Sequence, residues 1–232
     1  MKKTSNMKAI RFFTLVELLM VVAVLILLIG MLLPALKSAR EKSRQIQCAS
    51  NQKQCGLAMS VYACDFNAFV VLSLWKSGYS YCKGQNARWL EMLDGTWDVE
   101  YLKSKEVILC PSCQPSVYET GRCYGTRSNF AATGAEVTPI PYTNGPVVKL
   151  SKVNSPSAYL MLVDSFNALT LKQTWAIFPN GDFGGSMVGF HLRHAQKGNI
   201  LSADMHVESA SRNQARYWDL TAGYLDNSLI PF

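Results

Sequence analysis

From Phe13 to Leu36 the chain runs through 24 residues, FTLVELLMVVAVLILLIGMLLPAL, with one charge, the carboxylate of Glu17. At about 1.5 Å per residue a helix of that length measures roughly 36 Å, enough to cross a ~30 Å hydrocarbon core. A cleaved secretory signal fits less well, although Lys2, Lys3, Lys8 and Arg11 form a basic region ahead of the run. The run is longer than a usual signal core, no small-x-small cleavage site follows it, and a charge sits in its first turn.

The net charge of +7 is unevenly placed: through Lys53 there are nine Lys or Arg and two Glu, and the rest of the chain balances. Basic character that belongs to the flanks of an apolar run points to anionic lipid headgroups rather than nucleic acid. No nucleic-acid motif is present. Beyond the first 65 or so residues the remaining length is that of one domain with room for a core. Seven cysteines, Cys48, Cys55, Cys64, Cys82, Cys110, Cys113 and Cys123, are many for this length. In an exported domain some of them are expected to pair, and an odd count leaves at least one over.

Behind the apolar run, Ala, Lys, Arg, Gln and Leu continue a helical texture to Asp65, with Leu36, Ala39, Ser43, Ile46, Leu57 and Val61 as a thin apolar stripe. One long helix is predicted from Phe13 to Asp65, with a kink or loosening at Gly30 and Pro34, because proline removes a backbone bond and crowds the carbonyl four residues earlier. From Ala68 onward short apolar runs alternate with Gly, Pro, Asn and Asp, the pattern of strands and turns. AFVVLSLW, EVILC, SAYLMLVD, GNILSAD and HVESAS read as strands, NARWLEML as a short helix and residues 133–146 as a loop. The five tryptophans are expected in the core or at its rim.

FTLVELLMVV resembles the N-terminal segment of type IV pilins and type II secretion pseudopilins, which have Phe, Thr, Leu, any residue and Glu ahead of an apolar helix. The resemblance implies cleavage by a prepilin peptidase between Phe12 and Phe13, methylation of the new amino group, and assembly through Phe13 and Glu17 of neighbouring subunits. It departs from the family at Phe12, where glycine is usual. Later stretches resemble those of pilin-like proteins: CxxNxKQxGLAMxxYxxD is met by Cys48, Asn51, Lys53, Gln54, Gly56 to Met59, Tyr62 and Asp65. A CPS element follows at Cys110 to Ser112, then a PS segment before a strand ending in Asp, PSAYLMLVDS. His194 and Asp204 keep the spacing of a His, nine residues, Asp-Gly element, with Met205 in place of the glycine.

CPSC, HLRH and His206 offer thiols and imidazoles at zinc-like spacing, but nothing in the sequence brings Cys110 to His191. A disulfide involving Cys110, Cys113 or Cys123 is the expectation instead, from export, and no metal or other cofactor is expected. Cys48 and Cys55 lie on one helical face and read as small buried hydrophobes, with links between neighbouring helices as the alternative. His194 is expected to hydrogen-bond an Asp-centred turn at Asp204. No activated Ser or Cys accompanies these residues, so no enzyme activity is expected.

The expected architecture is α+β: a basic leader (1–12), a transmembrane and assembly helix (13–36), its amphipathic extension (37–65) and an exported globular domain with antiparallel sheet (66–232). The expected place is the inner membrane, single-pass, with the N-terminus cytoplasmic and the C-terminal domain outside the cytoplasm. The resemblance implies other pilin or pseudopilin subunits and an inner-membrane assembly platform as partners, beside the peptidase and lipid. The alternatives are an uncleaved anchored binding module and an exported hydrolase or metalloprotein using His191, His194, Asp204 and His206.

Overall fold

The computed structural model describes residues 14–74, 87–89, 93, 100–113, 122–127, 147–178, 185, 187–218, 220–225 and 228–231. Phe12, Phe13, Cys82, Trp75, Trp97 and the predicted loop 133–146 lie outside the described residues. The fold is α+β: one helix, α1 (Leu15–Asp65), precedes a set of antiparallel and mixed sheets. Two compact units divide the chain, Met1–Arg40 and Glu41–Phe232. The second half of α1, from Glu41 onward, falls in the second unit.

Thr14 and Glu17 start the helix as a reciprocal cap. The Glu17 N–H donates to Thr14 Oγ1 at 3.2 Å, and Glu17 Oε2 accepts from the Thr14 N–H at 2.8 Å and from its hydroxyl at 3.0 Å. T-x-x-E is the sequence signature of this capping box, which satisfies amide donors that the first turn leaves without partners. From Leu15 to Leu33 every described large apolar side chain is exposed. This is the one helix among the described residues long and apolar enough to cross a membrane. The helical assignment continues unbroken through Gly30 and Pro34. It stops after Asp65, where Asn67 and Ala68 take positive φ and the Ala68 N–H closes on Ala63 O at 2.7 Å, a left-handed termination.

The buried face of the helix is not the predicted stripe. Ile46, Leu57 and Val61 are 62%, 52% and 54% exposed, whereas Gln45, Cys48, Gln52, Cys55, Met59 and Tyr62 are buried at three- and four-residue steps. Counting aliphatic residues finds the wrong side because the packed side is built from thiols, amides and small residues. Gly56 also faces the sheet: a Cβ there would stand 3.0 Å from both Leu201 methyls and 3.2 Å from Met205 Sδ. The missing side chain lets helix and hairpin approach closely.

The strands in chain order are β1 (Phe69–Val71), β2 (Ser73–Leu74), β3 (Ala87–Arg88), β4 (Thr126–Arg127), β5 (Val147–Lys149), β6 (Leu160–Val163), β7 (Ser165–Asn167), β8 (Ala176–Ile177), β9 (Val188–His191), β10 (Lys197–Ser202), β11 (Val207–Ser211), β12 (Ala222–Leu225) and β13 (Ser228–Pro231). One sheet has the order β11-β10-β6 and another β13-β12-β9-β7, with β12 parallel to β9. β1 pairs with β5, β2 with β3 and β4 with β8. Two predicted elements change type. Part of NARWLEML is the strand β3, paired with β2, rather than helix. EVILC does not form a strand: Lys105–Ile108 is a 3-10 turn capped by Ser104, whose hydroxyl accepts the Glu106 N–H. A short apolar run carries no periodicity able to separate these outcomes.

Most of the helix's apolar partners lie in one cluster, which joins Cys48, Cys55, Met59 and Tyr62 to Leu72, Trp89, Ile108, Tyr124, Leu162 and Leu201. A second gathers Val163, Ile177, Phe190, Ile200 and Trp218.

Candidate functional site

Where β6 leaves one sheet and β7 enters the other, a single residue, Asp164, lies between them. Its backbone is anchored on both sides: its N–H donates to Asn199 O at 3.0 Å and its carbonyl accepts from the His191 N–H at 2.8 Å. The carboxylate is fully buried. Its Oδ2 accepts from the Asn199 N–H at 2.7 Å, and its Oδ1 accepts from the Cys48 thiol at 3.0 Å and Gln52 Nε2 at 3.4 Å. Cys48 and Gln52 come from the buried face of α1.

His194 enters from a tight turn ahead of β10. The pair His194 and Lys197 exchange both backbone bonds across Ala195 and Gln196, whose φ values are 49° and 63°. Positive φ at both central residues is type I′ geometry, here adopted without glycine. The ring is fully buried. Its Nε2 lies 3.3 Å from Cys110 Sγ and 3.4 Å from Asp164 Oδ2, and its Nδ1 lies 2.8 Å from Glu41 Oε1. Glu41 also accepts from the Ser112 hydroxyl at 2.8 Å. Cys110 is held by its backbone, whose N–H donates to Gln173 Oε1 at 2.9 Å. Tyr124 closes one wall, its hydroxyl 3.4 Å from Cys48 Sγ. One ligand-type atom from each of Cys48, Cys110, Asp164 and His194 lies within 4.8 Å of the others. Among the described residues, these four form a group whose donor atoms could hold a metal.

The electrostatics follow from burial and crowding. Asp164 is pushed up to about 6, first by burial and then by Cys110, with Arg193, His194 and the Asn199 N–H opposing. Burial pulls His194 down, yet Cys110, Asp164 and Glu41 together lift it to about 9. Burial raises Cys110 too, but Cys48, Arg193 and His194 hold it well below the usual thiol range. Cys48 moves the other way, raised by burial, Cys110 and Asp164. The guanidinium of Arg193 is the nearby fixed cation: Nε donates to His191 Nδ1 at 2.9 Å and Nη2 donates to Ser165 O.

The residues singled out from sequence are distributed unevenly around this centre. Cys48, Cys110, Asp164 and His194, one from each of the four stretches that carried the later resemblance, converge. Asp204 does not join them. Strand β10, of 6 residues, separates the two, and at about 3.3 Å per residue its ends stand roughly 17 Å apart. The expected bond from His194 to the Asp204 turn is therefore replaced by bonds to Glu41 and Cys110. At that turn Asp204 Oδ1 accepts the His206 N–H at 3.0 Å, and Met205 takes the positive φ that glycine would. Lys53 Nζ donates to Met205 O at 2.6 Å, so the helix also fastens the turn. His206 is exposed. Among the described residues the six cysteines are unbonded, and Cys110 Sγ faces His194. What the sequence did not single out is Glu41 as the partner of His194.

Taken together, the chain combines one candidate membrane-spanning helix near its N-terminus with an α+β unit built around a buried thiol, carboxylate and imidazole cluster, an architecture compatible with a membrane-anchored pilin-like or binding module. A family model described as "Protein of unknown function (DUF1559)" matches residues 37–69, the second half of α1 and the start of β1. No curated protein and no solved structure matches the chain.

Proposed function

We propose that the chain is a pilin-like or pseudopilin subunit, cut before Phe13 and assembled through its N-terminal helix into a type II secretion or type IV pilus-like filament. The observation that carries this reading is the unbroken helix from Leu15 to Asp65, apolar and exposed in its first part and packed by a polar, small-residue face in its second. Ile46, Leu57 and Val61 leave apolar surface on the side of the helix away from the core, where neighbouring subunits have something to bury. The family match falls on the segment holding CxxNxKQxGLAMxxYxxD, which supports the same reading.

Assembly then works without catalysis. A carboxylate inside a bilayer costs on the order of 2.5–3.5 kcal/mol on insertion scales and needs a partner. In this structure both of its bonds land on Oε2, and among the described residues Oε1 has no partner. In the proposed filament Oε1 takes the Phe13 ammonium of an adjacent subunit, while the neighbouring helix replaces lipid around the apolar run. The assembly platform and peptidase of the inner membrane are the required partners.

Mass spectrometry of the N-terminal peptide from protein isolated in its native host tests this. A methylated Phe13 terminus supports the filament subunit. A peptide spanning Phe12 and Phe13 favours the second reading, an uncleaved anchored binding module, for which Phe12 in the place of glycine is the specific observation.

A further inference from the structure

The buried quartet has features that the assembly reading does not use. Around a tetrahedral zinc, with bonds of about 2.0–2.3 Å, neighbouring ligand atoms stand ~3.3–3.8 Å apart. The nearest contacts here are already close to that: 3.3 Å from Cys110 Sγ to His194 Nε2, 3.4 Å from His194 Nε2 to Asp164 Oδ2, and 3.0 Å from Cys48 Sγ to Asp164 Oδ1. The four side chains arrive from α1, the CPS turn, the β6–β7 junction and the turn before β10. All four are fully buried.

Their outer partners are those that orient metal ligands. The ring nitrogen of His194 that points away from the cluster meets Glu41 Oε1 at 2.8 Å, and Glu41 is itself braced by Ser112 at 2.8 Å. Such a carboxylate fixes the tautomer and leaves Nε2 as the donor atom. The Asn199 N–H holds Asp164, and Gln173 holds the backbone of Cys110. Two thiolates and one carboxylate around a divalent ion leave one negative charge, and Arg193 lies on this cluster with Nη1 buried and without a hydrogen-bond partner.

We propose that Cys48, Cys110, Asp164 and His194 bind one zinc-type divalent ion that pins the helix to both sheets. This replaces the sequence expectation of no metal. Two sulfurs, one imidazole and one carboxylate select zinc over magnesium or calcium, which take all-oxygen sites. Four protein ligands in a sealed site leave no open position for a substrate, so the ion is structural. The inference stands apart from filament assembly and holds equally for an uncleaved anchor.

The test uses the full-length protein in detergent, purified without chelator and analysed for zinc, then stripped and titrated with Zn²⁺ and Co²⁺. About one zinc per chain, thiolate-to-cobalt charge-transfer bands and a melting temperature raised by zinc and lowered by chelator are expected. Cys48→Ser and Cys110→Ser should weaken binding more than tenfold, and Glu41→Gln by about 10–100-fold. Cys55→Ser, a buried thiol on the same helix outside the quartet, should leave it unchanged. The proposal is overturned if folded wild-type protein takes up no zinc from micromolar solution. It is also overturned if the native protein carries a Cys48–Cys110 disulfide, or if Cys55→Ser loses zinc as fully as Cys48→Ser. The wild-type titration decides the matter even if a ligand variant fails to fold.

Discussion

Histidine 191 and histidine 194 stand three residues apart and respond to their surroundings in opposite directions. His194 gains carboxylate and thiol partners. His191 stacks on Phe166 with ring centroids 4.5 Å apart, accepts from Arg193, and is held down to about 2 by burial, by Arg193 and by His194. Its folded pKa lies below its unfolded one, so below about pH 6.5 the unfolded chain takes up a proton that the folded chain refuses. Stability is then lost as pH falls from 6.5 toward 2, with a slope of roughly 1 kcal/mol per pH unit from this group. His191→Gln keeps an acceptor for Arg193 and should flatten that acid limb, which denaturant titrations of the two proteins at pH 4.5 and 7 would show. An unchanged pH difference would mean that the ring is solvated. At the other end of the chain, Glu17→Ala should leave membrane insertion intact while removing the protein from sheared fibres. Recovery of the variant in the fibre fraction at wild-type levels would count against Glu17 as an assembly residue.

Elements differ in how openly the sequence announces them, and α1 does so for its length but not for its orientation. Uninterrupted apolar residues followed by Ala, Lys, Gln and Leu give a helix to Asp65. The face it packs was hidden because Gln45, Cys48 and Gln52 are buried through specific partners: Gln45 Nε2 donates to Ser209 Oγ at 2.8 Å and Gln52 Nε2 to Asn199 O at 3.3 Å. Strands β6 and β10 could be read because each carries an aliphatic run, LMLV and IL. β3 and the 3-10 turn at Lys105–Ile108 are too short for any period to register. The site was legible as separate residues and not as a place, since Cys48 and His194 are brought together only by tertiary packing. Gly56 carries the consequence for the helix. Gly56→Val forces side-chain atoms into the 3.0 Å gap before Leu201 and should lower stability by about 1–3 kcal/mol, measured by thermal or denaturant unfolding. A neutral result would mean that the hairpin of β10 and β11 yields readily.

At the scale of the whole molecule, an exposed apolar helix half and a mixed α+β unit share one chain, so on the membrane reading the two are stabilised in different solvents. The orientation that the assembly reading requires places Glu41–Phe232 outside the cytoplasm. Protease added to spheroplasts should then digest that unit while spheroplast integrity is retained, and protection there with digestion only after lysis would reverse the topology. The cap formed by Thr14 and Glu17 changes what assembly has to achieve. On the assembly reading, cutting before Phe13 would create an ammonium next to Thr14 in the chain, and the carboxylate of Glu17 is already bonded to Thr14 of its own chain. Joining a filament is on that reading a sharing of one carboxylate, with Oε2 kept by the chain's own Thr14 and Oε1 meeting the neighbour's ammonium. The joint would then depend on the cap that holds this carboxylate in place, and Thr14→Ala should loosen the filament as it frays the helix, read as a lower yield of sheared fibres.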